Sequence, residues 1–215
     1  MKILYFDCFS GISGDMALGA LLDTGLDRKR FLDELAKLKL DGYELKIARA
    51  VKKGITGTDV TVILKEEGGH CSHSHSHEHD RAGDHNHDHS HDHDHGHEHG
   101  HGHSHHHSNG GGKQRNYAQI KELIENSRIS DNAKSLSIKM FEKLAKAEAK
   151  IHGVPFEEVH FHEVGAVDSI VDIVGTAIAV DMLNPDIIMS SPVHVGGGLV
   201  RCQHGIFPVP APATM

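Results

Sequence analysis

The sequence predicts an α/β protein in which a mixed sheet with flanking helices is interrupted by a disordered His-rich loop. Short apolar runs bounded by glycine, proline or asparagine predict strands, and longer segments with apolar positions three and four residues apart predict helices. The two kinds of segment alternate along the chain, which favours the α/β class. Between them, residues 70–107 hold 18 of the 23 histidines and almost no apolar side chain. We therefore expect that stretch not to fold.

The first part of the chain predicts a lobe over residues 1–65. Its predicted elements are a strand at 2–7, helices at 16–25 and 27–40, and strands at 43–51 and 56–64. The first strand (KILYFD) is a short apolar run that ends before a glycine cluster, which is typical of a buried strand. The last two strands alternate in polarity around Lys53 and Gly54, and turn residues in that position predict a hairpin.

The part after the His-rich stretch predicts a second lobe over residues 114–215. Its predicted elements are helices at 117–126, 130–151 and 166–183, a strand at 186–189, and an irregular Gly- and Pro-rich tail from 190 onward. Ser130 can cap the second helix, and Gly153 with Pro155 ends it. Its apolar stripe is Ala133, Leu136, Met140, Leu144 and Ala147. The third helix is apolar nearly all round, so we expect it to be buried. The tail resembles the start of another helix, so we expect this lobe to be truncated at its C-terminal end.

Charge and cysteine content exclude several classes of protein. The formal net charge is −8, but residues 70–112 contribute −6 of it, which leaves −2 for the rest. No basic stripe indicates nucleic-acid binding, and no apolar run is long enough to span a membrane. The three cysteines form no CxxC pair, which argues against a disulfide framework and suits a reducing compartment. The N-terminus lacks the pattern of a signal peptide, so we expect a cytoplasmic protein.

The His-rich stretch predicts metal binding. Imidazole suits nickel, zinc, copper and cobalt, and the Irving–Williams order favours copper and nickel over manganese. A fixed site uses far fewer ligands on a packed scaffold, so we interpret 66–113 as a mobile loop that gathers metal in interchangeable arrangements. A purification tag and a merely solvated polar linker are the alternatives. The metal ligands expected in the loop are His85, His87, His89, His91, His93, His95, His97, His99, His101 and His103.

A second candidate metal site lies in the stretch HFHEVGAVDSIVDIVG, which begins at His160. Imidazoles and carboxylates together suit a divalent metal, and the ligands expected here are His162, Glu163, Asp168 and Asp172. The two aspartates are four residues apart, so they share one face of a helix. An ordinary alternative is that a first-turn carboxylate only complements the helix dipole and that the pair is solvated. Both aspartates nevertheless lie in an apolar helix, where a buried carboxylate needs a partner.

Two loops are candidates for binding an anionic group. The first, DCFSGISGD, follows a predicted strand and precedes a helix, where backbone N–H groups bind phosphate in α/β folds. Its binding residues are predicted to be Ser10, Gly11, Ser13 and Gly14, with Asp7 and Asp15 holding a magnesium ion that bridges to the phosphate. It has no P-loop lysine and no GxGxxG pattern, so a plain tight turn is the alternative. The second, SPVHVGGGLVRCQHGIFPVPAPAT, offers Arg201 for an anion, or is only a structural loop. Its side chains that could bind a metal are His194, Cys202 and His204.

Taken together, the stretches FDCFSGISGDMALGALLD, HFHEVGAVDSIVDIVG and SPVHVGGGLVRCQHGIFPVPAPAT resemble the LarC family of nickel insertion proteins. A His-rich insertion between the first two is also typical of that family. The resemblance implies a CTP-dependent nickel insertase, a cyclometallase of the lyase class, that makes the nickel-pincer nucleotide cofactor of lactate racemase. Its substrates are nickel and pyridinium-3,5-bisthiocarboxylic acid mononucleotide, and magnesium or manganese assists with CTP. The family is about twice as long, so the match is to its N-terminal half, and CTP binding is expected mainly in the other half.

The resemblance leaves residue roles and partners as expectations. A nickel–carbon bond on a pyridinium ring needs a base for the displaced ring proton, and His160, His162 and His204 are the candidates. The expected partners are the C-terminal half, apo lactate racemase or the sulfur-inserting enzyme of the pathway, and further copies in a homo-oligomer. Two alternatives stay open: a non-catalytic nickel storage and delivery module that docks on a separate catalytic half, and an unrelated metal-dependent phosphohydrolase.

Overall fold

A computed structural model describes residues 1–65, 115–161, 164–202 and 205–214 of the chain. The helices within these residues are α1 (Gly14–Asp23), α2 (Arg28–Ala36), α3 (Tyr117–Glu125), α4 (Asp131–His152) and α5 (Val167–Leu183). The strands are β1 (Ile3–Phe6), β2 (Tyr43–Lys52), β3 (Ile55–Leu64), β4 (Ile187–Ser190), β5 (Leu199–Cys202) and β6 (Gly205–Pro208). The predicted α/β class is confirmed. The His-rich loop predicted at 66–113 lies outside the described residues.

The hydrophobic core is centred on α5, which has nine buried residues and packs against α1, α2 and α4. The largest fully buried side chains include Phe31, Phe141, Phe161, Leu18, Leu21, Ile120, Ile124 and Ile170. They come from both sides of the gap between residues 65 and 115, so the described parts of the two predicted lobes share one core. No helix in the described residues combines the length and apolarity needed to cross a membrane. The prediction that α5 is buried is confirmed.

The hairpin of β2 and β3 forms as predicted, with Tyr43 paired to Leu64 and Lys52 to Ile55. Lys53 and Gly54 both have positive φ, at 50° and 82°, which is the backbone of the primed turns that suit two-residue hairpins. Strand β3 packs against α1, where Gly19 allows a close approach. A Cβ atom on Gly19 would lie 2.5 Å from the carbonyl oxygen of Thr58, so only glycine fits there without a shift.

Helix α4 begins and ends where the sequence predicted, but its buried stripe differs. The Ser130 hydroxyl caps the helix by accepting from the Ala133 N–H at 3.1 Å, and Gly153 ends it with φ 64°. The buried residues are Ala133, Ser137, Phe141 and Ala145, whereas the predicted Leu136, Met140, Leu144 and Ala147 are half-buried at its flanks. The stripe was misjudged because Ser137 is polar, yet its hydroxyl is satisfied by the Ala133 carbonyl at 2.7 Å.

Strands β1 and β4 pair in parallel, with Ile3 beside Ile187 and Phe6 beside Ser190. The Lys2 backbone N–H donates to the Asp186 carboxylate at 2.6 Å, which fixes the start of the pair. This pairing joins two segments that are more than 180 positions apart in the chain and brings the loops after both strands together. Leu4 and Phe6 pack against the core, and Ile3 and Tyr5 lie on the opposite face.

The tail after residue 190 is not wholly irregular, which corrects the prediction. Strands β5 and β6 form an antiparallel pair with Leu199 opposite Pro208 and Val200 opposite Phe207. The backbone N–H of Val209 donates to the Gly198 carbonyl at 2.9 Å and closes the base of the pair. The glycines and prolines around these strands obscured two four-residue runs that are too short for a clear alternation.

Candidate functional site

The candidate site lies at the carboxyl ends of the parallel strands β1 and β4. Residues 7–13 follow β1 and residues 191–196 follow β4, and backbone hydrogen bonds join the two loops. The Cys8 N–H donates to the Ser191 hydroxyl at 2.7 Å, and the Cys8 carbonyl accepts from Gly11 at 3.0 Å and from His194 at 3.1 Å. The crevice outside the carboxyl ends of parallel strands is where open α/β sheets bind ligands.

A cleft of about 490 Å³ opens between these loops, the start of α1 and one face of α5. It is lined by Phe6, Cys8, Ile12, Ser13, Gly14, Ala17, Met140, Asp172, Ile173, Thr176, Ser190 and Val193. Apolar walls with a few polar groups are the usual composition of a small-molecule site. Two further clefts of about 330 and 390 Å³ in the described residues hold none of the predicted site residues. The cleft at the strand ends is therefore the candidate site.

Asp172 is the one acidic side chain in the lining of the cleft. It projects from α5 against the start of α1, so closely that a Cβ atom on Gly14 would lie 2.6 Å from its Oδ2 atom. Its Oδ1 atom is buried and has no hydrogen-bond partner among the described residues. Burial, and then the nearby charges of Asp15 and Asp168, raise the pKa of Asp172 from 3.8 to about 7. Near neutral pH this carboxyl group is therefore present in both its protonated and its ionised form.

The structure brings Asp15, Asp168 and Asp172 into one acidic cluster. Asp15 lies in the first turn of α1 and accepts a hydrogen bond from the Ser13 hydroxyl. Asp168 lies in the first turn of α5 and accepts from the backbone N–H of Ser169 at 2.8 Å. Across the residues that are described, no three His, Cys, Asp or Glu side chains converge closely enough to hold a metal ion. The cluster therefore concentrates negative charge without forming a complete coordination shell.

Several other predicted site residues are described. Ser13 and Gly14 line the cleft, while Ser10 and Asp7 are exposed in the loop beside it. Gly11 has φ 92°, and a Cβ atom there would lie 3.2 Å from the His194 carbonyl, so the tight-turn interpretation of this loop has structural support. Two further predicted residues are exposed, namely Arg201 in β5 and His160 after Val159. The others lie outside the described residues: His162, Glu163, His204 and the ten loop histidines from His85 to His103.

The start of α1 does not fit a bare triphosphate. Asp15 and Asp172 place two carboxyl groups at the helix end that would have to attract phosphate oxygens. The Ser13 hydroxyl, which is the available side-chain donor, is already used by Asp15. The prediction that Asp7 and Asp15 hold a magnesium ion bridging to a phosphate stays a prediction, since a magnesium ion bound with a nucleotide takes only one or two carboxylates from the protein.

Sequence reasoning missed several residues of the cleft. Cys8 is only 3% exposed and lies at its base, and Met140 and Thr176 line it from α4 and α5. Cys8 had a signal, because it directly follows the acid at the end of a predicted strand. Met140 had none, because the pairing of α4 with this cleft depends on how α4 packs against α5 and not on local sequence.

The family of nickel insertion proteins matches the chain over residues 4–215. A pyridinium-3,5-bisthiocarboxylic acid mononucleotide nickel insertion protein from Clostridium acetobutylicum is 57% identical over 216 residues, which is 100% of this chain and 49% of the relative. Proteins of the same description from Clostridium kluyveri and Acetivibrio thermocellus are 51% and 48% identical and also match 100% of this chain, with 46% and 44% of their own lengths.

The chain spans less than half the length of these curated relatives. No solved structure matches it. The family match covers the strand-end loops, the acidic cluster and both sides of the gap, so it applies to the whole described fold and not to one motif. The chain therefore belongs to the family of nickel insertion proteins.

Proposed function

We propose that this chain is the nickel-handling part of a protein that inserts nickel into pyridinium-3,5-bisthiocarboxylic acid mononucleotide. The observation that carries the proposal is the match of the whole chain to relatives described by that activity, at 48–57% identity. The relatives are about twice as long, so the complete activity is assigned to this chain together with the remaining part of such a protein. In this proposal nickel is a substrate of the reaction.

The cleft at the ends of β1 and β4 is the proposed place for the pyridinium ring. Its walls are largely apolar, with Phe6, Ile12 and Val193 among them, and an aromatic ring buries well against such side chains. The ring carries a positive charge, and the acidic cluster of Asp15, Asp168 and Asp172 lies at one side of the cleft. Opposite charges at a binding site favour the correct ligand and its orientation.

Nickel is proposed to bind beside the ring through Asp168 and Asp172, with His162 and Glu163 from the segment that precedes α5. These side chains supply nitrogen and oxygen ligands, which suit a divalent metal of this kind. Asp172 can change its charge near neutral pH, so a cation that arrives at the cleft displaces its proton and is held by the carboxylate. Asp7 is exposed and is not among the groups that raise the pKa of Asp172, so it is not assigned to this nickel site. It stays a predicted metal ligand in the loop after β1.

Formation of the nickel–carbon bond replaces a hydrogen on the ring, so one proton must leave. His160, His162 and His204 are the proposed acceptors because imidazole titrates near neutral pH. CTP, with magnesium or manganese, is proposed to bind mainly in the part of the protein that lies outside this chain, because the described start of α1 does not fit a bare triphosphate.

The histidines of residues 70–107 are proposed to collect nickel for this site. Their number exceeds what one coordination shell uses, which favours a reservoir over a single structural ion. The proposed setting is a reducing cytoplasm, where the pathway enzyme that adds sulfur and apo lactate racemase are the partners upstream and downstream.

The test is a metallation assay with this chain and the part of the Clostridium acetobutylicum relative that lies outside the match, with CTP included or omitted. Asp172→Ala and His162→Ala are expected to lower the yield of nickel-containing cofactor about tenfold or more at saturating nickel, because loss of a ligand or its support commonly has that effect. Asp33→Ala, an exposed acid on α2, is the matched control and is expected to leave the yield unchanged.

An unchanged yield with Asp172→Ala and His162→Ala would remove both residues from the site. Turnover of CTP without any pincer substrate would favour the metal-dependent phosphohydrolase. If nickel-containing cofactor still forms in a CTP-dependent way when this chain is omitted from the assay, the chain is a delivery module and not part of the catalytic site.

A further inference from the structure

The pair of β1 and β4 is unusual because it is a two-stranded parallel sheet. Parallel sheets in α/β proteins normally contain several strands and are covered on both faces, and an isolated two-stranded pair is marginally stable. In the part of the chain that the structure describes, no third strand pairs with either of them. The outer edges of this pair therefore present unpaired backbone N–H and C=O groups, which are a template for another strand.

The outer face of the pair is apolar and exposed. Ile3 and Ile187 lie side by side and are 49% and 40% exposed, and Tyr5 and Met189 lie side by side and are 55% and 51% exposed. None of these four side chains is charged. A compact apolar patch on a strand pair that lacks a covering layer marks an interaction surface more often than a solvent-facing surface.

Strand β4 is less covered than β1. All four residues of β4 are exposed, whereas Leu4 and Phe6 of β1 pack against the core. Ile188 lies beside Leu4 on the inner face and is still 52% exposed. The layer of helices that covers the inner face of β1 therefore stops short of β4, and the partner that completes the sheet belongs on the side of β4.

We infer that the outer edge of β4 and the face formed by Ile3, Tyr5, Ile187 and Met189 dock the remaining part of the full-length nickel insertion protein, which adds at least one strand to the sheet. The relatives contain more chain outside the match than within it, so a partner of sufficient size exists in the family. An uncharged core is typical of permanent interfaces, which resemble the inside of a domain.

This inference rests on the proposed function only in that the two parts work together. It requires no nickel, CTP or pincer substrate, so a failed metallation assay and a failed docking test are distinguishable. A second copy of this chain is the competing occupant. It would pair β4 with β4 around a twofold axis and would leave the remaining part of the protein without a docking surface here.

The test compares hydrogen exchange in this chain with exchange in the full-length Clostridium acetobutylicum relative, without metal or nucleotide. The backbone amides of β4 are expected to exchange rapidly in this chain and at least about tenfold more slowly in the full-length relative, because pairing and burial protect amides. The strand β3, which is paired with β2 along its whole length in this chain, is the internal reference for exchange. The sedimentation of this chain is measured at the same concentration, so that self-association through β4 is detected.

A matched pair of variants of the full-length relative tests the face itself. The change equivalent to Met189→Glu is expected to restore at least about tenfold faster exchange in β4. The change equivalent to Val51→Glu, at an exposed apolar residue of the hairpin of β2 and β3, is expected to leave exchange in β4 unchanged. The inference is overturned if β4 exchanges equally fast in both wild-type proteins. It is also overturned if this chain sediments as a dimer with β4 already protected, which assigns the surface to a second copy.

Discussion

At the scale of single residues, Asp172 combines three features that each disfavour its ionised form. It is half-buried, its Oδ1 atom lacks a partner, and two further carboxylates lie near it. Each of these features disfavours the charged form, so the folded protein holds a proton at Asp172 that the unfolded chain has lost. Such unfavourable electrostatics persist mainly where a ligand later compensates them, which agrees with the proposed role of this residue towards a cation.

The raised pKa of Asp172 predicts a stability that falls as pH rises. Below pH 4 both the folded and the unfolded state hold the proton, and the residue has no effect. Between the unfolded value of 3.8 and the folded value of about 7, only the unfolded state has lost the proton, so the free energy of unfolding decreases with pH and then levels off above pH 7. Asp172→Asn removes this contribution because asparagine does not titrate.

The measurement is denaturant unfolding of the wild-type chain and Asp172→Asn at pH 5 and pH 8. The decrease in the free energy of unfolding between the two pH values is expected to be smaller in the variant by about 1–2 kcal/mol, allowing for solvent screening of a partly exposed group. Asp33→Asn, an exposed acid elsewhere, is expected to keep the wild-type pH dependence. Equal pH dependences of wild type and Asp172→Asn would contradict the raised pKa.

Part of this site was readable from the sequence. The four-residue spacing of Asp168 and Asp172 within an apolar helix identified them as a pair that needs an explanation. The contribution of Asp15 was not readable in the same way, because it depends on the start of α1 lying against the middle of α5. That contact joins residues more than 150 positions apart and leaves no local periodicity.

At the scale of secondary-structure elements, α1 is held closely between β3 and α5. Gly19 faces β3, and Gly14 faces Asp172 on α5. A helix with glycine at its contact points can approach its neighbours more closely than one with larger side chains. The close approach places the start of α1 in the wall of the cleft. Packing of Gly19 against β3 therefore helps to position Gly14 at the cleft.

Gly19→Ala is expected to destabilise the chain by about 1–2 kcal/mol in denaturant unfolding. Alanine favours a helix by about 1 kcal/mol over glycine, but overpacking costs about 1–3 kcal/mol. The new methyl group would meet the Thr58 carbonyl at 2.5 Å, where backbone and not a flexible side chain must move. We expect the second effect to be the larger.

Gly57→Ala in β3 is the matched control. A Cβ atom there meets no atom within 4 Å, so its effect is expected to stay within about 0.5 kcal/mol of zero. An increase in stability for Gly19→Ala would mean that α1 does not lie against β3 as the structure has it.

The elements with strong local signals were predicted closely. The hairpin of β2 and β3 was indicated by alternation and by Lys53 and Gly54, and α4 was indicated by its cap at Ser130. The hairpin of β5 and β6 was missed because its strands have four residues each and are surrounded by glycine and proline. Short strands of this kind are determined by their pairing and not by their own propensity.

At the scale of the whole molecule, the fold and the nickel supply are assigned to different parts of the chain. The described core comes from residues on both sides of 66–114, and its parallel pair joins Ile3 to Ile187. The proposed reservoir lies between these parts. We therefore expect that the reservoir can be removed without loss of the fold, and that removal separates metal capacity from metal insertion.

Deletion of residues 70–107 is expected to reduce the number of bound nickel ions from several per chain to one or none, measured by calorimetry. Metallation of the pincer nucleotide is expected to decrease only at low nickel and to recover when nickel is saturating. Replacement of the same residues by a Gly/Ser linker of equal length is the matched control for chain length. A wild-type stoichiometry near one would contradict the reservoir, and loss of metallation at every nickel concentration would favour the storage-module alternative.

The global arrangement was beyond the reach of the sequence pattern. The class of fold followed from alternating strands and helices, but the pairing of the first strand with β4 depends on contacts across nearly the whole chain. Local propensity carries no information on such a pairing. The family match supplied the biochemical setting that neither the pattern nor the geometry contains.

The two described ends of the insertion are each fastened to the fold by their own backbone. The Lys65 N–H donates to the Gly42 carbonyl at 2.9 Å, and the Arg115 N–H donates to the Gly165 carbonyl at 3.2 Å. Where a chain segment between two fixed anchors does not fold, doubling its length costs only about 0.6 kcal/mol of closure entropy. Under the proposed function, the number of metal-binding histidines between these anchors can therefore change with little effect on the stability of the described fold.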